Sequence, residues 1–321
     1  ISRVWPDLAD WKKAGERLEE REKSKMKAQA WSRPPIAYWD HWIDERQAHV
    51  FSIPLEGGTP TAITLGTGFE LTRQELDGHA YDIAPDGSEI AFVADIDPTG
   101  VNQNFDVFVV PAAGGQARNL TTDNSGADAN PLYSPDGRWL LHTRQTIKGF
   151  YGDQRQAWLI DRKSNARRRL AADWDRSLDG MVWAPDSKSI FAAIDDAGTE
   201  RVHRIDVANG RHAPVTTGSS FSSLAIADSP AMLVGLRQSF SEPPTLVRIG
   251  TRDGQVTKLS DLNDALLAGV ALGRVESVTY QGAGGDDIQM WVAYPPGFDP
   301  AKKYPLYLLL HGGPHNGVAD A

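Results

Sequence analysis

The 321-residue chain contains no cysteine. A disulfide framework, a thiolate zinc site and a cysteine nucleophile are thereby excluded, while the redox compartment stays open. Long apolar runs are missing too: the densest, Leu306 to Leu310, is strand-sized, far below the ~18 residues that span a bilayer. Positive charge is in the minority, with 33 Lys and Arg against 42 Asp and Glu and a formal net charge of −9. That sign argues against nucleic acid or an anionic membrane as partner and is that of a soluble chain. What is present in quantity is ordinary, 40% hydrophobic and 23% charged residues, the composition of a globular chain long enough to bury a core in about two domains. The chain opens at Ile1 without a signal-like stretch and stops at Ala321, soon after a motif that normally opens a domain. It therefore reads as a segment of a longer polypeptide, and its compartment is unknown.

A repeat organises the middle. Ala84-Pro85-Asp86-Gly87, Ser134-Pro135-Asp136-Gly137 and Ala184-Pro185-Asp186-Ser187 recur at a spacing of 50 residues. Around each copy the same four short apolar stretches follow one another: Tyr81 to Ala84, Ile90 to Ala94, Phe105 to Pro111 and Ala117 to Leu120 in the first. Pro131 to Ser134, Trp139 to Thr143, Ala157 to Asp161 and Arg167 to Leu170 form the second set, and Met181 to Ala184, Ser189 to Ile194, Val202 to Val207 and His212 to Val215 the third. Four short antiparallel strands per repeat, with Pro presetting φ and Asp-Gly closing the first turn, is the pattern of a propeller blade. A fourth copy runs through Ser222 to Ala227, Ala231 to Leu236, Thr245 to Ile249 and Val256 to Leu259, its turn scrambled to Asp228-Ser229-Pro230. Upstream, Ile36 to Trp39, Ala48 to Pro54 and Ala62 to Leu65 look like the later strands of one more blade. Residues 7–30 break the pattern: Asp7 is a candidate N-cap, and Leu8, Trp11 and Leu18 lie near one face of a helix otherwise made of Lys, Arg and Glu, so a solvated helical insertion is expected.

After residue 272 the character changes. Val275 to Tyr280 and Ile288 to Tyr294 alternate across a Gly-rich turn, then come Pro295-Pro296-Gly297, Lys302-Lys303-Tyr304-Pro305, the apolar run and His311-Gly312-Gly313-Pro314-His315. An apolar strand running into His-Gly-Gly is how an α/β-hydrolase delivers its oxyanion-hole loop, since glycines let the backbone approach a reacting carbonyl. The expected fold is mainly β: a β-propeller of four-stranded blades over 1–272, partial and carrying the 7–30 insertion, followed by the start of an α/β-hydrolase domain over 273–321.

The repeated Pro-Asp-Gly blades, the stretch Asp173-Trp174-Asp175-Arg176-Ser177 and the Tyr-Pro-apolar-His-Gly-Gly-Pro sequence together resemble the prolyl oligopeptidase family of serine peptidases, especially its acylaminoacyl-peptidase and dipeptidyl-peptidase branch. The resemblance implies a peptidase that cleaves short peptides near their N-terminus through an acyl-enzyme, without cofactor, and with the propeller as a size filter. It assigns an oxyanion N–H to Gly313 and support of that loop to His311, Gly312 and Pro314, His311 not being the catalytic base. The triad follows this loop in such enzymes, and no Gly-x-Ser-x-Gly occurs in the 321 residues. The resemblance thus puts all three triad residues outside the chain, which alone would be inactive, and makes the rest of the polypeptide, or a complementary chain, its partner. A homo-oligomer is left open, and periplasmic or secreted placement is favoured over cytoplasmic by resemblance only. Two other readings stand beside it, a non-catalytic propeller binding module with an inactive hydrolase domain, and an esterase on the same fold.

Other residues invite sharper and blander readings. Asp195-Asp196 with Glu200, on a propeller hairpin, would suit a substrate's free amine or make a solvated turn. His311 and His315 do not suggest a metal pair, because Gly-Gly-Pro between them prevents the helix that would align i and i+4. Arg167-Arg168-Arg169 reads as charge protecting an outer strand, and Trp139, Trp158 and Trp183 as packing residues.

Overall fold

The computed structural model describes residues 1–6, 11–73, 78–97, 99, 101, 104–227, 231–312 and 317–320. The first strand, β1 (Ser2–Val4), pairs antiparallel with β4 (Gln47–His49), a partner that no local pattern announces. Between them lies α1 (Trp11–Lys23), none of whose residues is buried. Trp11 meets Phe51 edge-on at 4.9 Å, Arg17 lies 4.2 Å over the ring of Trp5, and Lys23 bonds Glu19 one turn back. This is the expected solvated helix, whose N-cap candidate Asp7 and face residue Leu8 lie outside the described residues. β2 (Ala37–Tyr38) and β3 (His41–Trp42) form a separate hairpin, and β5 (Phe51–Ser52) pairs with β6 (Thr61–Ala62).

Four sheets of four antiparallel strands follow. The first holds β7 (Tyr81–Ile83), β8 (Glu89–Asp95), β9 (Phe105–Pro111) and β10 (Arg118–Asn119), and the second β11 (Asp128–Tyr133), β12 (Trp139–Arg144), β13 (Gln156–Asp161) and β14 (Arg167–Arg169). The third contains β15 (Val182–Trp183), β16 (Ser189–Asp196), β17 (Thr199–Asp206) and β18 (His212–Pro214); the fourth contains β19 (Ser220–Ala227), β20 (Met232–Ser239), β21 (Glu242–Gly250) and β22 (Val256–Lys258). Each sheet keeps its strands in chain order, a meander, as a propeller blade requires. A one-turn helix, α2 (Asp264–Leu267), precedes the terminal hairpin of β23 (Val275–Gln281) and β24 (Asp287–Ala293).

The Pro-Asp turns are superposable in their bonding. Gly87 N–H donates to Ala84 O at 2.8 Å, Gly137 to Ser134 O at 2.8 Å and Ser187 to Ala184 O at 2.9 Å. In each, the Asp side chain accepts from the backbone N–H two residues on, at Ser88, Arg138 and Lys188. The fourth residue of each turn has positive φ, 68° at Gly87, 69° at Gly137 and 58° at Ser187, which explains glycine in two copies and leaves Ser187 in a conformation that L residues seldom adopt.

The core explains why the second and third strands read as unbroken apolar runs. Along β8, Ile90, Phe92 and Ala94 face one cluster with Val50, Ile63 and Leu71, while Ala91 and Val93 face another with Tyr133, Leu140 and Ile160. β9 divides likewise, Phe108 and Val110 to one side, Val107 and Val109 to the other. A strand covered on both faces needs apolar residues at every position, so the period of two disappears from the sequence. β21 has buried residues only at Thr245, Val247 and Ile249 and alternates accordingly. By contacts the chain divides into two compact units, Ile1–Arg169 and Leu170–Ala321.

One bond recurs through the sheets and was not legible in the repeat. A hydroxyl just past the outer strand accepts the N–H of a third-strand residue fourteen positions earlier, Val107 to Thr121 and Val202 to Thr216 at 3.0 Å and Leu246 to Ser260 at 3.1 Å, and ahead of these sheets Val50, between β4 and β5, bonds Thr64 in the same way at 3.0 Å. Thr64 and Thr121 are fully buried and Thr216 nearly so. The second four-stranded sheet has Ala171 at this repeat position and lacks the hydroxyl.

Candidate functional site

The hydrolase-like end is built on the β23–β24 hairpin, in register from Val275↔Ala293 to Gln281↔Asp287. Its turn passes through Gly284 and Gly285 at φ of 83° and 90°, where a side chain would be strained. Beyond β24, Tyr294, Phe298 and Tyr304 meet in sequence as tilted rings with centroids 4.6 and 5.1 Å apart, and Arg274 lies 3.8 Å over Tyr294. Tyr294 Oη donates to Glu276 at 2.8 Å, and the Tyr304 hydroxyl accepts Asp299 N–H at 3.0 Å. These contacts tie residues 294–304 to one another and to Arg274 and Glu276.

Here one expectation fails. Leu306 to Leu310 forms no strand, and its side chains are 72–90% exposed. Apolarity alone does not make a strand: backbone N–H and C=O groups need a neighbouring ladder, and among the described residues β24 pairs only with β23. His311 and Gly312 are exposed, with His311 Nδ1 3.2 Å from Gly312 O. Gly313, Pro314 and His315 lie outside the described residues, and so does the Asp228-Ser229-Pro230 turn.

The three acidic candidates do come together. Asp195 and Glu200 face each other across the β16–β17 ladder, and Ala197-Gly198 turns the hairpin at φ of 52° and 74°. Asp196 is already answered by Arg176 at 3.1 Å and by Arg201. Burial and then the nearby Asp195 carboxylate hold the Glu200 pKa above its usual range, so one proton or one cation is favoured between these two acids. The hairpin tip is not bare. Gln289 Nε2 donates to Ala197 O at 3.0 Å, Asp320 N–H to Gly198 O at 2.7 Å, and Phe240 N–H to Asp320 Oδ1 at 2.7 Å. Trp291 stands edge-on to Phe240 at 5.3 Å and donates to Val318 O. The structure thus binds the hydrolase-like hairpin to the same blade tip that carries the acids.

Sequence reading missed a buried charge cluster in the first unit. Asp128 is fully buried, with Arg144 Nε at 2.9 Å, His142 Nδ1 at 3.2 Å and Asn124 Nδ2 at 2.8 Å, and Arg144 also forks onto Asp123. Asp106 nearby bonds Asn119 Nδ2 at 2.6 Å through one oxygen, while its other oxygen and His142 Nε2 find no partner. A second omission is a cavity of about 160 Å³ where Glu70 meets Arg33 and Arg73. No sequence signal pointed there, because the partners are far apart along the chain. Among the described residues no group of three His, Asp or Glu is placed to hold a metal ion, and no helix is long and apolar enough to cross a membrane.

Repeated four-stranded blades leading into this hairpin define a β-propeller followed by the start of an α/β-hydrolase domain, and solved structures share the architecture. Pyrococcus horikoshii acylaminoacyl peptidase superposes with a TM-score of 0.68 at 13% identity, covering 91% of this chain and 43% of that one. The putative TolB from Agrobacterium tumefaciens superposes at 0.50 and 20% identity, covering 68% of this chain and 75% of that one. No protein-family model matches the chain. Among curated proteins it is similar to dipeptidyl-peptidase 5 of Porphyromonas gingivalis, 27% identical over 293 residues that cover 88% of this chain and 42% of the relative. Dipeptidyl-peptidase 5 of Aspergillus fumigatus is also 27% identical, over 315 residues covering 89% and 43%. These likenesses bear out the resemblance to the prolyl oligopeptidase family. The chain spans less than half the length of the curated relatives it matches.

Proposed function

We propose that the chain is the propeller and oxyanion-loop portion of a serine peptidase that removes short N-terminal pieces from peptides through an acyl-enzyme. The observation that carries this reading is the succession of four four-stranded sheets, three of them with the Pro-Asp turn, the β23–β24 hairpin and His311-Gly312-Gly313-Pro314 in one chain. The 27% identity to dipeptidyl-peptidases of two organisms supports it independently. In this reading the propeller ends near residue 272, and the triad belongs to polypeptide beyond residue 321 or to a complementary chain. Gly313 N–H stabilises the tetrahedral oxyanion, and His311, Gly312 and Pro314 shape its loop. Asp195 and Glu200, rather than the ion-paired Asp196, hold a substrate's free amine.

The test is Gly313→Pro in the complete enzyme, which deletes the donor. Turnover of a dipeptidyl anilide is expected to fall by roughly 10²- to 10³-fold, the usual loss for one oxyanion donor, with a smaller change in substrate affinity. Because proline also fixes φ, an unchanged melting temperature is part of the result. A normally folded variant with near-normal turnover overturns the assignment.

A further inference from the structure

A cavity of about 560 Å³ opens in the first unit, between the outer part of the first four-stranded sheet and the turns of the second. Its floor is apolar: Leu120, Leu140 and Ile160 line it, and each is at most 4% exposed. Its rim is cationic. Arg138 and Arg162 are held in place, Arg138 by Asp161 at 3.2 Å and Arg162 by Glu89 at 3.0 Å, by Asp86 at 3.5 Å and by Gly137 O at 2.7 Å. Arg118 and Lys163 also line the cavity, are exposed, and make no ion pair among the described residues. The lining holds four cations and two carboxylates, and Asp86 beside Arg162 adds a third carboxylate, which leaves the rim a surplus of one positive charge in a chain whose formal charge is −9. The volume falls in the range of small-ligand sites, the three apolar residues offer an apolar floor under a charged, open rim, and the surplus sets the sign of the ligand.

We propose that this cavity is a binding site for the carboxylate-rich end of a short peptide, a free C-terminus next to an Asp or Glu side chain, with an apolar residue before them on the floor. The two unpaired cations, Arg118 and Lys163, supply the attraction, while Arg138 and Arg162 are fixed by their own acids and shape the walls. The site sits at the Pro-Asp-turn end of its sheets, formed by Gly137, Arg138 and the β13–β14 turn. It uses none of the residues assigned to the oxyanion loop or the amine anchor, and it stands whether or not the chain serves a peptidase.

The test is calorimetric titration of the full polypeptide that carries this chain with the tripeptide Leu-Asp-Glu and with its neutral counterpart Leu-Asn-Gln-amide, the integrity of each peptide being verified afterwards. Leu-Asp-Glu is expected to bind at least ~10-fold more tightly than the neutral peptide, and its affinity to fall as salt rises through the screening range. Arg118→Ala with Lys163→Ala should abolish that preference without moving the melting temperature, since neither side chain is paired. Arg211→Ala, an exposed cation of the third four-stranded sheet, should leave it unchanged. Equal affinity for both peptides, no binding of Leu-Asp-Glu at ~10 mM, about −2.7 kcal/mol, or a double variant that binds like the parent would each overturn the proposal.

Discussion

Asp106 shows how far a single buried acid departs from its solution behaviour. Burial pushes its pKa up to about 6, and the neighbouring Asp128 and Asp123 carboxylates add to the rise, against the lowering pulls of Asn119 and Arg144. A folded-state value above the unfolded one means that the native protein holds this proton more tightly. Its contribution to stability is therefore complete below the unfolded value near pH 4 and is lost as pH rises through about 6. Asp106→Asn keeps the size and the acceptor for Asn119 while removing the charge. The variant should match the parent at pH 4 and exceed it at pH 8, by up to about 3 kcal/mol on the size of the shift. His49 and His203 act in the opposite sense: burial lowers each to about 4, so both cost stability as pH falls from 6.5 towards 4. The comparison must be read as the difference between variant and parent at each pH, by thermal melting. A difference that is the same at pH 4 and pH 8 would remove Asp106 from this role.

At the level of elements, what was legible depended on how local its cause was. The Pro-Asp-Gly turns were readable because φ preference, the Asp side-chain acceptor and the glycine at positive φ all act within five residues. The strands flanking them followed within two or three residues for the same reason. β1 was not readable, since three residues of ordinary composition become a strand only by meeting Gln47–His49. Leu306 to Leu310 erred the other way, its composition promising a strand that needs a partner. The site was less legible than the fold: the motif that carries the chemistry is a loop, and loops take their geometry from what surrounds them. The Thr and Ser acceptors escaped because a single hydroxyl, missing from the second four-stranded sheet, gives no pattern against a background of surface hydroxyls. They make a clear expectation all the same. Thr121→Val preserves shape but leaves Val107 N–H unpaired in a fully buried place, so it should cost about 1–3 kcal/mol. Denaturant unfolding of the variant would measure it, and a cost below a few tenths of a kcal/mol would show that the bond is dispensable.

On the scale of the molecule, the question is what holds the hydrolase-like hairpin to the blades of the second unit, because an isolated two-stranded ribbon is marginal in water. The contacts converge on one glycine. A Cβ on Gly198 would sit 2.7 Å from Gln289 Nε2 and 3.0 Å from the Trp291 ring, and its backbone φ is +74°. Gly87 is the natural control, with φ of +68° and open space around it. Alanine at either position meets the same left-handed penalty of about 1–2 kcal/mol. Only Gly198→Ala also crowds the Gln289 amide and the Trp291 ring, the two side chains that bond Ala197 O and Val318 O. Both variants should therefore lose comparable global stability, while Gly198→Ala alone should open residues 275–320 to limited proteolysis. Trp291→Ala should do the same without touching the backbone, by removing the Phe240 contact and the bond to Val318. If protease cuts the 275–320 region no faster in Gly198→Ala and Trp291→Ala than in Gly87→Ala, the hairpin is held by something other than this blade tip.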